Sequence, residues 1–157
     1  MKKLLLVASI LVSGAMFAGS FEEQLRKVTG VDVITLQPSQ EKVVVSLPEA
    51  FGVFTNATVF TDKNGSGLIK QIRCVRDYAA DVKPEVVKAD VDVAVELLKK
   101  SFAVAGVKIV KDDACTHRTK IVFADTDWYA NAYVTEAKHK SEPLGYYIAD
   151  LTFVKGR

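Results

Sequence analysis

Cysteine and histidine are scarce in this chain, two of each among 157 residues, and no C-x-x-C pair is present. Cys74 and Cys115 lie 41 positions apart, whereas a thiol oxidoreductase keeps an attacking and a resolving cysteine close together. A Ser-His-Asp signature and a nucleophile elbow are also missing. The glycines of "NGSG" (64–67) lead into a second strand-like run, so they bring no helix N-terminus to a phosphate. Internal repeats, low-complexity tracts and charge blocks are absent.

What is present begins with "MKKLLLVASILVSGAMFAGS". Lys2 and Lys3 precede an apolar run, Leu4 to Val12, broken only by Ser9, and small residues follow. This is the layout of a secretory signal peptide over 1–20, with cleavage between 15 and 20. The run is shorter than the roughly 20 residues a permanent span needs, and no later segment is apolar enough to cross a membrane. No cysteine follows the run, so a lipid anchor is not expected. Losing Lys2 and Lys3 lowers Lys+Arg from 21 to 19, level with the 19 acids. A neutral domain carries no electrostatic footprint for nucleic acid. The expected location is periplasmic or secreted.

Residues 21–157 form one domain on length. Phe21, Leu25 and Val28 recur at helical spacing before Gly30, predicting a short N-terminal helix. "VDVITL" (31–36) and "KVVVSL" (42–47) read as strands, and 57–62 with 68–76 as a hairpin turned at "NGSG". Val87, Val91, Ala94, Leu98, Phe102 and Ala105 form the stripe of one long helix, about 84–105, with Asp81 as cap and Gly106 as stop. Strands follow at 107–110, 119–125, 128–137 and 146–154, with a loop at "KHKSEPLG". The last strand is apolar on both faces, which points to a central position. The fold class is α+β: a largely antiparallel sheet packed against one long helix.

Outside the cytoplasm, Cys74 and Cys115 most simply form one disulfide. It would close a loop of about 42 residues and contribute about 4 kcal/mol. The alternative is a metal set built on Cys115 and His117, two ligands one residue apart, completed by Cys74 and His139. A solvated loop is the commoner setting for His117. Asp125 and Asp127 in "ADTDW" are a carboxylate pair or a turn. Trp128, Tyr129, Tyr133 and Tyr147 are the candidate binding surface, since such residues anchor interfaces, although they also fill half-buried sheets.

Residues 21–70 run through a short helix, a glycine, an extended segment with Pro38, a strand and a "TDKNG" turn. In this they resemble the small N-terminal dimerisation domain of periplasmic disulfide isomerases. The likeness covers less than a third of the chain, and that family's catalytic C-x-x-C domain has no counterpart.

These features lead to an exported, non-catalytic module that binds or assembles with an unknown protein, without a cofactor. A small-ligand or metal carrier is the alternative, and a hydrolytic or redox enzyme the third reading.

Overall fold

The computed structural model describes residues 21–29, 42–48, 51–61 and 68–156. The signal peptide expected at 1–20, the strand expected at 31–36 and the turn expected at 64–67 lie outside them. Helix α1 is Phe21–Thr29 and α2 is Pro84–Ser101. The strands are β1 Lys42–Ser46, β2 Asn56–Thr61, β3 Ile69–Asp77, β4 Val104–Asp112, β5 His117–Phe123, β6 Trp128–His139 and β7 Glu142–Lys155. They make one sheet in the order β1-β2-β3-β7-β6-β5-β4, each neighbour antiparallel. Strands β1 and β2 and the start of β3 belong to this sheet and not to a separate dimerisation unit.

Alternation sets two faces. On the inner face, Ala57, Cys74, Leu151, Ala132 and Thr119 form one cross-strand row. Val59, Ile72, Phe153, Ala130 and Ile121 form the next. All are buried. Helix α2 lies over β6 and β7, where Ala130, Ala132 and Ala149 are small enough to admit a helix backbone. Its stripe, Val87, Val91, Ala94, Val95 and Leu98, is buried against them. This burial offsets the weak helix propensity of so many valines. Helix α1 closes one end of the same face. Phe21 stands 4.6 Å from Phe123, 5.4 Å from Phe102 and 5.7 Å from Trp128, ring centre to ring centre.

The sequence pattern and the structure part at three junctions. Helix α2 stops at Ser101, four residues early, because Val104 already pairs with Phe123, and Ala105 and Gly106 belong to β4. The helix N-cap is Lys83, with no side-chain cap bond, and not Asp81; Pro84 takes the first turn as expected. The loop expected at 138–145 shrinks to a two-residue turn. Lys140 and Ser141 take φ of 47° and 74°, and Pro143 is already in β7 opposite Lys138. Two positive φ angles match the right-handed twist of the flanking strands, and that twist outweighs the cost to non-glycine residues.

Strand β7 is the fourth of seven, the central position its two apolar faces predicted. Segment β3-α2-β4 leaves the sheet on one side of β7 and re-enters it at the far edge. The β6–β7 hairpin and β5 then fill the interval.

Candidate functional site

Neither described helix lies on the outer face of the sheet. Its centre is Asp150, on β7, with none of its surface exposed. Arg73 of β3 donates from Nε to Asp150 Oδ2 at 2.7 Å, and Thr152 Oγ1 donates to Asp150 Oδ1 at 2.5 Å. Tyr133 of β6 is the direct cross-strand partner of Asp150. Its hydroxyl pKa is pushed up, first by burial and then by the Asp150 charge. The bond to Asp150 raises the Arg73 pKa and so favours the charged guanidinium. Two strands from different ends of the chain are thereby fixed by one buried carboxylate.

Around this centre the face turns basic. Arg118 and Lys120 of β5 lie opposite Tyr133 and Asn131. The Lys120 ammonium sits 4.6 Å over the Tyr129 ring, a cation–π contact, and Arg118 donates to Asn131 Oδ1 at 3.4 Å. On the β1–β3 side a shallow depression of about 190 Å³ is lined by Val44, Asn56, Thr58, Phe60, Arg73 and Val75.

The expected aromatic surface is therefore divided. Tyr129 and Tyr133 share the outer face, half-buried. Trp128 is 2 % exposed and belongs to the core with Phe21. Tyr147 is on the inner face, in register with Ala149 and Leu151, and its hydroxyl donates to Cys115 Sγ at 3.5 Å. That bond, with burial second, pushes the Tyr147 pKa up to about 12.

The disulfide is not formed. Cys74 is buried in the core and Cys115 is exposed in the β4–β5 turn, each a free thiol. Strands β7 and β6 intervene between β3 and β5. Three strand spacings amount to about 14 Å, where a disulfide needs Cα atoms within about 7 Å. Burial pushes the Cys74 thiol up to about 12, so it is a packing group and no nucleophile.

The metal pair is not assembled either. Among the described residues no group of three or more His, Cys, Asp or Glu side chains is placed to hold a metal ion. Cys115 faces Tyr147, while His117 is buried at 5 % exposure and is no loop histidine. His117 Nδ1 is 3.2 Å from Asp112 Oδ1, and its Nε2 is 3.3 Å from Asp92 Oδ1 and 3.2 Å from Thr119 Oγ1. Lys88 joins the cluster through Asp112 at 3.1 Å and through the Asp113 carbonyl. Each ring nitrogen thus faces a carboxylate, and the Thr119 hydroxyl shares Nε2 with Asp92. The cluster ties α2 to the β4–β5 turn.

Asp125 and Asp127 sit in the exposed β5–β6 turn, Asp125 at φ 56°. The Asp127 carbonyl accepts from Gly156 N at 2.9 Å. They close a turn. His139 ends β6, exposed.

Sequence reasoning missed Asp150, Arg73 and the surroundings of His117. Asp150 did leave a signal: it is the one charged residue in "YYIADLTFV", and a lone charge inside an apolar strand needs a partner. Its partner lies 77 positions away and left none.

The chain matches no protein-family model, no curated protein and no solved structure. The resemblance of residues 21–70 to the isomerase dimerisation domain finds no support in these comparisons.

Proposed function

We propose that the chain is an exported module that binds another protein through the outer face of its sheet. The observation that carries this reading is the arrangement at Asp150. A buried carboxylate holds Arg73 and Thr152 in place beside Tyr133, on a face neither described helix covers. Tyr129, Tyr133 and Arg118 are residue types that anchor partners, and they stand here on paired strands beside Lys120. Little ordering entropy remains to be lost on binding. Export rests on the pattern of residues 1–20: two lysines, a short apolar run and small residues after it.

The test is photo-crosslinking in the producing cells. A benzophenone amino acid is placed at Tyr129 or Lys120 on the outer face, and at Val93, an exposed position of α2, as control. A discrete adduct from the sheet positions and none from Val93 is the expected result. Equal yields from all three, or none, would end the reading. Mass spectrometry of the exported protein checks the leader separately, by a mature N-terminus between positions 16 and 21.

A further inference from the structure

The outer face runs out to β4, the edge of the sheet, where the chemistry of a partner can be read. Every residue of β4 from Ala105 to Asp112 is exposed, including Val107, Ile109 and Val110. Among the described residues its ladder partner is β5 alone, so half of its backbone N–H and C=O groups point away from the sheet. Register shifts interrupt the strand at Val104/Gly106 and Ile109/Lys111, leaving Gly106–Ile109 as the regular stretch.

The charges on this edge are arranged at a cost. Lys108 stands directly opposite Lys120, and Lys111 directly opposite Arg118. Like charges facing each other across strands destabilise a sheet. Lys111 is partly offset by Asp113 at 3.1 Å. The inner side of the same strand presents Val107 and Ile109, 42 % and 61 % exposed.

We infer that β4 is a docking edge for an extended peptide segment of a partner protein whose side chains alternate acidic and aliphatic. The inference rests on the partner-binding reading above and names the partner's chemistry. Such a segment continues the sheet through its backbone. Its acids reach Lys108, Lys111, Arg118 and Lys120 on the outer side. Its aliphatics cover Val107 and Ile109 on the inner side. A second copy of β4 is a poor occupant, because outer-side residues of paired strands meet each other and would set lysine against lysine. The lysines thus block self-pairing and select the acidic strand.

The test measures binding of a labelled (Glu-Val)4 peptide to the purified chain by fluorescence anisotropy, with (Lys-Val)4 and a single-stranded oligonucleotide as comparisons. Amide hydrogen exchange maps the contact. The expected result is binding of (Glu-Val)4 alone, weakened by salt, with new protection at residues 106–109. Lys108→Glu pairs with Lys120 across the strands, so the variant should melt at a higher temperature and yet bind (Glu-Val)4 about tenfold more weakly. A merely structural lysine would not move stability and affinity in opposite directions. No binding, equal binding of both peptides, or oligonucleotide binding as tight as (Glu-Val)4 overturns the inference. Protection at Tyr129 and Tyr133 with β4 unchanged also overturns strand addition, yet leaves the outer-face reading standing. Failure of the crosslinking test removes that reading as well.

Discussion

The Arg73 guanidinium, itself half exposed, holds Asp150 at 2.7 Å in a position where the carboxylate has no other access to water. The pair joins β3 to the central strand and orients the face that carries Tyr133. Its removal has unequal consequences depending on which partner goes.

Arg73→Ala leaves a buried carboxylate without its cation, though Thr152 still donates to it, and a cost of about 2 kcal/mol is expected, below that of a fully buried pair because Arg73 is partly solvated. Asp150→Asn keeps the shape and removes the charge, and should cost less. A urea-denaturation double-mutant cycle checks both, and a coupling energy near zero would show that the pair is not coupled.

The two thiols should behave as different groups. Cys115, exposed, reacts with an aromatic disulfide reagent at once, and Cys74 only on unfolding. The Cys74 pKa is raised by burial from 9.0 to about 12. A raised folded-state value contributes stability that is complete below the unfolded pKa and is lost as pH rises from about 9 towards 12. Unfolding free energy should therefore fall across that window in the wild type and fall less in Cys74→Ala. Prompt reaction of both thiols at pH 8 would contradict the buried placement.

Acid should loosen the other end of the molecule. The Asp112 pKa is held down first by the Lys88 hydrogen bond and then by that of His117. A depressed folded-state value contributes stability present above the unfolded pKa of about 3.9 and lost as pH falls through the lower folded value. Amide exchange should therefore quicken in the β4–β5 turn below about pH 4, and Asp112→Asn should reduce that pH dependence, the rest belonging to Asp113, whose pKa is also held down, first by the Lys111 hydrogen bond. A turn whose exchange follows the rest of the sheet would argue against the link.

The β6–β7 turn is built of residues ill suited to it. Lys140 and Ser141 both have positive φ. Replacing them with Asn-Gly should stabilise the fold by about 1 kcal/mol, read as a raised melting temperature with an unchanged circular dichroism spectrum. A loss of stability would mean that the two side chains contribute contacts of their own.

How much of this was legible in the sequence depends on how local the cause is. The α1 span and the stripe positions Val87, Val91, Ala94 and Leu98 of α2 are periodic signals and came through, whereas Phe102 and Ala105 lie past the end of the helix. The central place of β7 was readable because apolar residues lie on both of its faces, a pattern that points away from an edge. Gly106 looked like a helix stop, yet it marks a bulge in β4, and nothing within a few residues distinguishes the two. Pro143 and Gly145 looked like a loop, but the turn lies just before them. The disulfide was inferred from compartment and count, which say nothing about how many strands separate two cysteines. The Asp150 and His117 clusters depend on which strands and helices meet, and that is decided by the whole chain.

The place of β7 also sets an order of events. Until residues 142–155 are available, the chain can form only two half-sheets, β1-β2-β3 and β6-β5-β4, each with an open inner edge at β3 or β6. Joining them requires contacts between residues some 80 positions apart, a topology that folds slowly. Strand β7 is thus the element that turns two half-sheets into a single sheet.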